Sequence, residues 1–218
     1  MQNRLPSMQL CAITDRRLFS AASQSEAALR RQLLRLVEDW TAGGVHFIQL
    51  REKDLTAPDL QALAREMAEK IDRSRSKLLV NVSTAESAAL AVAAGAGGVH
   101  LAGNPMPGAA LSARQIFRAA GRDAIISVPC HDLDDIRVAR NEQVDLILFS
   151  PVFEKLEAVP RGLAALRQAC AEAEGIAVFA LGGVTSFNAQ DCMAAGAAGV
   201  AGIRLFAADD WRRLLPAN

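Results

Sequence analysis

The sequence predicts a (β/α)8 barrel, the TIM-barrel class, as a single domain over residues 1–218. Short apolar segments of strand character alternate with segments whose apolar residues recur every three or four positions. Eight such strand–helix units fit into 218 residues, close to the lower size limit of this fold. No linker-like or low-complexity stretch divides the chain. An open, doubly wound parallel sheet is the main competing fold.

The predicted strands are short runs rich in Val, Ile, Leu and Phe, and each precedes a helical pattern. Strict alternation of strands and helices implies parallel pairing with right-handed crossovers. In chain order, the predicted strands are Leu10–Thr14, Val45–Leu50, Lys77–Asn81, Gly98–Leu101, Ala124–Val128, Leu146–Phe149, Ile176–Leu181 and Val200–Ile203.

The predicted helices show apolar residues on one face and suitable residues at their first turns. Glu26–Trp40 follows Ser25, which is a good N-cap residue. Asp59–Ile71 has Pro58 in its first turn, where proline is tolerated. The other predicted helices are Ala85–Ala94, Ser112–Ala120, Leu133–Arg140, Leu163–Ala173 and Asn188–Ala195.

A Gly-Val step recurs where a helix passes into a strand. It is found in TAGGVHFIQL (41–50), AAGAGGVHLA (93–102) and AAGAAGVAGI (194–203). A glycine after a helix suits the left-handed C-cap, and the following valine then begins a strand. The repeated step therefore supports a chain built from similar helix-to-strand joints.

The composition argues against nucleic-acid and membrane partners. The 24 basic and 24 acidic residues balance, tyrosine is absent, and aromatic residues make up only 5% of the chain. The N-terminus lacks the apolar core of a signal peptide, and Ala88–Gly98 is too short to span a bilayer. We therefore expect a cytoplasmic protein with reduced thiols. No CxxC pair or zinc-like spacing relates the cysteines, which are Cys11, Cys130, Cys170 and Cys192.

The segment GGVHFIQLREKD, residues 43–54, runs from a buried strand directly into long polar side chains. Active sites of TIM barrels gather at the C-terminal ends of the strands. Residues two apart point to the same side of a strand, so Gln49, Arg51 and Lys53 are expected to project together at the barrel mouth. The alternative is a solvated loop that happens to be charged.

A phosphate site is predicted after strands seven and eight. ALGGVTS (180–186) places Gly182 and Gly183 where backbone N–H groups can approach phosphate oxygens closely. VAGIRLF (200–206) adds Gly202, with Ile203 supplying a further amide. The alternative is a tight turn without a ligand.

Two histidines end predicted strands and one lies earlier. His131 follows strand five, where an imidazole can transfer protons near neutral pH. His100 ends strand four, but its side chain could face either way. His46 comes early in strand two and is interpreted as structural. No His, Asp or Glu cluster has clear metal-ligand spacing.

Together, the motifs CAITDRR, GGVHFIQLREKD, LLVN, GVHLAGNPMP, PVFEK, ALGGV and GVAGIRLF resemble the thiamine phosphate synthase superfamily, which includes the TenI-type thiazole tautomerases. The resemblance spans about Leu10 to Phe206. Synthases of this superfamily join a pyrimidine pyrophosphate to a thiazole phosphate with help from Mg²⁺. The resemblance implies that Gln49, Arg51 and Lys53 meet the pyrophosphate and the pyrimidine, with Asn81 in the same pocket. It likewise implies that Gly183 and the amides near Gly202 and Ile203 hold the thiazole phosphate.

The sequence departs from the synthase pattern at the metal site. Val82 follows Asn81 where the synthases carry a Mg²⁺-binding Asp, and the stretch from Ala102 to Pro105 lacks the second Asp. Pro129 replaces a Ser, and the strand-six loop is altered around Lys155 and Arg161, with Lys155 kept as a candidate substrate-binding residue. Mg²⁺ needs hard oxygen ligands beside a pyrophosphate leaving group.

Three functions remain open on these grounds. The favoured one is a metal-independent, TenI-like thiazole tautomerase without a cofactor, in which His131 matches the proton-shuttling histidine. Arg51 would pair with the carboxylate of a phosphorylated thiazole substrate. A divergent, Mg²⁺-dependent synthase is the alternative, and a barrel that binds phosphorylated ligands without turnover is the third. A homodimer is compatible with the apolar stripes on the predicted outer helices.

Overall fold

The computed structural model describes residues 8–18, 25–153 and 159–215. Its eight strands form a closed parallel barrel in which each strand pairs with the next along the chain. The barrel closes because β8 also pairs with β1, with Ala12 in register with Gly202. The predicted TIM-barrel class is therefore confirmed, and an open sheet is ruled out.

The observed elements follow the predicted alternation, with boundaries shifted by a few residues. The strands are β1 (Gln9–Ile13), β2 (Phe47–Leu50), β3 (Lys77–Val82), β4 (Gly98–Leu101), β5 (Ile125–Cys130), β6 (Leu146–Phe149), β7 (Ala177–Ala180) and β8 (Gly199–Gly202). The helices are α1 (Glu26–Ala42), α2 (Ala57–Lys70), α3 (Ala88–Ala93), α4 (Ala109–Ala119), α5 (Leu133–Asn141), α6 (Gly162–Glu172), α7 (Ala189–Ala194) and α8 (Arg204–Ala207), followed by a 3-10 helix, Asp209–Leu214. Among the described residues, no helix combines the length and apolar character needed to cross a membrane.

Side-chain caps fix where several helices begin. The Ser25 hydroxyl accepts a hydrogen bond from the backbone N–H of Ala28 at 3.3 Å, as its N-cap position predicts. Asp132 caps α5 in the same way, accepting from the N–H of Asp135 at 3.0 Å. The caps hold the strand-to-helix loops at the C-terminal end of the barrel.

The recurring Gly-Val steps have a packing cause as well as a conformational one. Gly98 and Gly199 begin β4 and β8, and a Cβ at either position would overlap with the backbone of the neighbouring strand. Gly44 and Gly196 end the preceding helical turns with positive φ of 83° and 101°. The left-handed turn and the close strand packing therefore fall on different glycines of these segments.

The barrel interior is divided into an apolar and a polar half. Inward-facing residues of β6, β7, β8 and β1 form a small apolar core inside the barrel: Cys11, Ile13, Leu146, Leu148, Phe179 and Ala201. On the opposite side, β2 to β5 contribute Gln49, Asn81, His100 and Ser127. A larger apolar core lies between the sheet and the helices. The polar half contributes side chains to a pocket at the C-terminal mouth of the barrel.

Candidate active site

A pocket of about 270 Å³ lies at the C-terminal mouth of the barrel. It brings together residues that the sequence analysis predicted separately, from β2, β3, β5 and β8. Its polar lining consists of Gln49, Arg51, Lys53, Asn81, His100, His131 and Ser150, and its apolar lining includes Ile13, Pro129, Leu148, Leu181 and Ile203.

Arg51 and Lys53 supply positive charge that no carboxylate of the pocket lining balances. Neither side chain forms an ion pair with any residue that the structure describes. The backbone N–H of Arg51 donates to Oγ1 of the buried Thr14 at 2.9 Å, which fixes the start of this loop. Two uncompensated cations beside an apolar wall favour an anionic ligand with an apolar body.

The acidic residues of the same loop serve a different purpose. Glu52 is buried, with 6% of its whole-residue surface exposed, and its carboxylate lies 2.9 Å from the guanidinium of the buried Arg16. Asp54 pairs with the same guanidinium at 2.7 Å. Side chains therefore alternate in direction along REKD. Arg51 and Lys53 line the pocket, whereas Glu52 and Asp54 bind Arg16 and so join this loop to the loop after β1.

His131 is held in one tautomer by the backbone. Its Nδ1 lies 2.7 Å from the carbonyl oxygen of Ser150, and a carbonyl can only accept a hydrogen bond. Nδ1 must therefore carry the proton, which leaves the lone pair of a neutral imidazole on Nε2. The backbone N–H of His131 donates to Asp135 at 2.7 Å. His131 lines the pocket, whereas its neighbour Cys130 is buried in the core outside the sheet.

Gln49 and Asn81 form a buried amide pair. Nε2 of Gln49 donates to Oδ1 of Asn81 at 3.0 Å. Gln49 is only 2% exposed, yet its Oε1 has no hydrogen-bond partner among the described residues. A buried acceptor without a partner carries a free-energy cost, which a ligand donor would remove.

His100 is a pocket residue that the sequence analysis left without a role. Its Nδ1 lies 3.0 Å from Oγ of the fully buried Ser127. Burial, together with the nearby charge of Arg51, lowers the pKa of His100 to about 3, so the imidazole is neutral. The sequence did offer one signal for this residue. Gln49 on β2 and Asn81 on β3 are polar residues near the ends of their strands that point into the barrel, and His100 has a similar place on β4.

The two glycine loops lie side by side because β7 and β8 pair in parallel. Gly182 has φ of 94° and Gly183 has φ of 67°, so the turn after β7 depends on glycine. Leu181 and Ile203 line the pocket; the predicted phosphate residues Gly182, Gly183 and Gly202 adjoin them rather than lining it themselves. The amides of Gly183 and Ile203 make no hydrogen bond within the part of the chain that the structure describes.

The strand-six loop falls partly outside the described residues. Lys155, predicted to bind substrate, lies outside the described residues. Arg161 is exposed, and its backbone N–H donates to the carbonyl of Pro151 at 2.8 Å.

Comparison with known proteins identifies the family. A sequence model of the thiamine monophosphate synthase family matches residues 11–206. The chain belongs to this family. It is 41% identical over 183 residues to a Geobacter sulfurreducens protein provisionally named a thiamine-phosphate synthase, with 82% of this chain and 81% of that protein covered. It is 33% identical over 207 residues to a thiamine-phosphate synthase of Leptospira biflexa, with 90% and 88% covered.

A solved structure agrees with this family assignment. The thiamine phosphate pyrophosphorylase of Pyrococcus furiosus superposes with a TM-score of 0.74 at 25% sequence identity, covering 97% of this chain and 94% of that one. Both the sequence and the fold thus connect the chain to thiamine biosynthesis.

The pocket lining offers no charged oxygen ligand for the Mg²⁺ that the resemblance to the synthases implies. Its lining contains no Asp or Glu, and the described residues contain no group of three His, Cys, Asp or Glu side chains able to hold a metal. Val82, at the position of the synthase Asp, packs in the core outside the sheet. The side-chain amide oxygens of the pocket lining, on Gln49 and Asn81, are neutral, and that of Asn81 already accepts a hydrogen bond from Gln49. The absence of a cofactor stays a prediction from the sequence.

Proposed function

We propose that this chain is a thiazole tautomerase, a member of the thiamine monophosphate synthase family that moves a proton within a carboxylated thiazole phosphate. One observation carries the proposal. Nε2 of His131 has no hydrogen-bond partner among the residues that the structure describes, and His131 lines a pocket with two cations and no carboxylate. Such a site suits acid–base chemistry on an anionic substrate better than displacement of pyrophosphate beside a divalent cation.

We expect each part of the substrate to have its own partner in the pocket or directly beside it. The phosphate would bind the amides near Gly183 and Ile203, and the ring would lie on the apolar wall. Arg51 would bind the carboxylate through two parallel hydrogen bonds. These contacts would bring the reacting carbon close to Nε2 of His131.

His131 would then act first as a base and afterwards as an acid. Nε2 takes a proton from one carbon of the substrate, and the electron pair moves into the ring. The resulting imidazolium keeps its Nδ1–H bond to Ser150 and returns the proton to a different carbon. The double bond shifts, no group leaves, and the enzyme returns to its starting state.

A synthase is the second candidate, and it has its own support. The unpartnered Oε1 of Gln49 would accept a hydrogen bond from an amino group such as a pyrimidine carries. The relatives described above are named as synthases. This reading would require the metal to be held largely by the pyrophosphate, because Gln49 and Asn81 offer only neutral oxygens.

The test compares both reactions in one preparation. Wild-type protein and His131→Asn are given carboxythiazole phosphate in the presence of a chelator, and isomerisation is followed by NMR. Asn keeps a donor near the Ser150 carbonyl but has no base, so turnover should fall at least about a hundredfold. Equal rates for the two proteins would remove His131 from the mechanism.

A second assay supplies pyrimidine pyrophosphate and thiazole phosphate with and without Mg²⁺. Product that forms only with Mg²⁺ would replace the tautomerase proposal with the synthase. Binding of thiazole phosphate without turnover in either assay would select a non-catalytic binder. The cytoplasmic location and the homodimer stay predictions from the sequence.

A further inference from the structure

His100 occupies a central place in the pocket that the proton transfer described above does not use. It lies on β4 in register with Asn81 of β3 and Ser127 of β5, facing the barrel interior. Only 5% of its surface is exposed, and it lines the same pocket as Arg51 and His131. The imidazole therefore adjoins any ligand that fills the pocket.

The two nitrogens of His100 have different surroundings. Nδ1 has a protein partner, the Ser127 hydroxyl at 3.0 Å, and Ser127 is fully buried. Nε2 has no hydrogen-bond partner in the ranges 8–18, 25–153 and 159–215. A hydroxyl can donate to Nδ1, and the neutral imidazole then carries its proton on Nε2. The pair would in that case present an N–H donor at the pocket wall.

We propose that Nε2–H of His100 donates a hydrogen bond to the negative charge that develops on the substrate when His131 removes a proton. The proposal rests on the tautomerase function and adds a second catalytic residue to it. His100 exchanges no proton: the proton moves to Nε2 of His131 and back to the substrate, while Ser127 holds Nδ1 of His100. A preorganised donor stabilises developing charge without reorganisation during the reaction.

The neutral state of His100 suits this role. Burial and the charge of Arg51 keep its pKa far below that of an ordinary histidine, so it does not compete with His131 for the abstracted proton. A neutral imidazole can still polarise a substrate, an arrangement known among isomerases. The competing interpretation is that His100 and Ser127 only satisfy each other inside the barrel.

Kinetics separate the two interpretations. We expect His100→Asn to lower kcat for carboxythiazole phosphate about a hundredfold, since loss of one such donor typically has this effect. Ser127→Ala, which releases Nδ1 but keeps the imidazole, should lower kcat by roughly tenfold. The Kd for thiazole phosphate, a ligand that lacks the carboxylate and undergoes no proton transfer, should change less than about threefold in both variants, because that ligand carries no developing charge. Wild-type kcat in both variants would overturn the proposal.

A second measurement uses the wild-type protein and does not depend on turnover. The chain has three histidines, so ¹⁵N NMR can follow each imidazole during titration with thiazole phosphate. We expect the His100 nitrogens to report an Nε2–H tautomer and to shift on binding. His46 serves as the internal control, because its Nδ1 accepts from the N–H of Leu10 and it does not line the pocket.

The NMR result distinguishes two failures. If the protein lacks tautomerase activity but the His100 signals shift on binding, the proposed function fails while the contact stands. If the protein is active but His100 carries its proton on Nδ1 or does not respond to the ligand, the hydrogen-bond donor proposed here is wrong.

Discussion

The guanidinium of Arg16 lies 2.9 Å from the carboxylate of Glu52, and each of these side chains is at most 3% exposed. The backbone N–H of Arg16 also donates to both carboxylate oxygens of Glu52, at 3.1 and 3.2 Å. This pair joins the loop after β1 to the loop that carries Arg51 and Lys53. The loop with the two pocket cations is therefore anchored by an ion pair whose two residues do not line the pocket.

Removing Arg16 should destabilise the protein strongly. Arg16→Ala leaves the buried Glu52 without its cation, and loss of one partner of a buried pair typically costs about 3–5 kcal/mol of unfolding free energy. Arg30→Ala is the matched control, because its pair with Glu66 is partly exposed and should contribute less than about 1 kcal/mol. Urea denaturation measures both changes. Similar losses in the two variants would mean that Arg16 is not a structural anchor.

The same cluster predicts a loss of stability in acid. A hydrogen bond from Arg16 is the main cause that lowers the pKa of Asp54 to about 2. A carboxyl group with a depressed folded-state pKa stabilises the protein above its unfolded pKa of about 3.9, and this contribution is lost as the pH falls towards 2. Asp54→Asn should therefore lower stability at pH 7 and flatten the decline between about pH 4 and 2.

Asp123→Asn is the control for the acid experiment. Asp123 is exposed and forms no ion pair with the described part of the chain. Its variant should keep the wild-type slope of unfolding free energy against pH. An unchanged slope in Asp54→Asn as well would show that the Arg16 contact does not govern acid stability.

Period-two alternation allowed part of the site to be predicted from the sequence. It placed Gln49, Arg51 and Lys53 on one side of β2, and the structure gathers these three residues around one pocket. It could not assign Glu52 to Arg16, because the partners are 36 residues apart and meet only once the barrel closes. The contact between His100 and Ser127 likewise depends on the register of β4 and β5, which local patterns do not determine.

The element boundaries show the same division between local and long-range causes. Helix α5 was predicted closely because Asp132 caps it within four residues of chain. Helix α4 begins at Ala109, three residues before its predicted start, because the preceding Gly108 adopts a left-handed conformation with φ of 81° and Glu142 accepts its N–H. The two residues of that contact are 34 positions apart, so the local sequence pattern could not predict it.

Gly182→Ala should damage both stability and phosphate binding. An added Cβ would lie 2.8 Å from Cα of Pro151, and the residue has φ of 94°. The left-handed conformation and the overlap together should cost about 2–5 kcal/mol. Because the glycine loop would shift, we expect weaker binding of thiazole phosphate by calorimetry.

Gly175→Ala separates backbone conformation from the overlap. Gly175 has φ of 97°, but an added Cβ would meet nothing within 4 Å. This variant should lose only about 1–2 kcal/mol and bind thiazole phosphate as the wild type does. Equal affinity in the Gly182 and Gly175 variants would place the phosphate away from the loop after β7.

Arg51→Met should raise the pKa of His100 and weaken substrate binding at the same time. Burial is the main cause of the lowered pKa and the charge of Arg51 is the second, so removing that charge makes the imidazolium less unfavourable. The pKa should stay below the ordinary value of about 6.5, since His100 remains buried and Lys53 and His131 still face the same pocket. NMR titration of the three imidazoles measures the change, and the KM for carboxythiazole phosphate should rise in parallel.

Lys53→Met is the control: Lys53 is more exposed, and its loss should move the His100 pKa less. An unchanged His100 pKa in Arg51→Met would mean that the guanidinium points away from the imidazole, and the carboxylate of the substrate would then need a different partner.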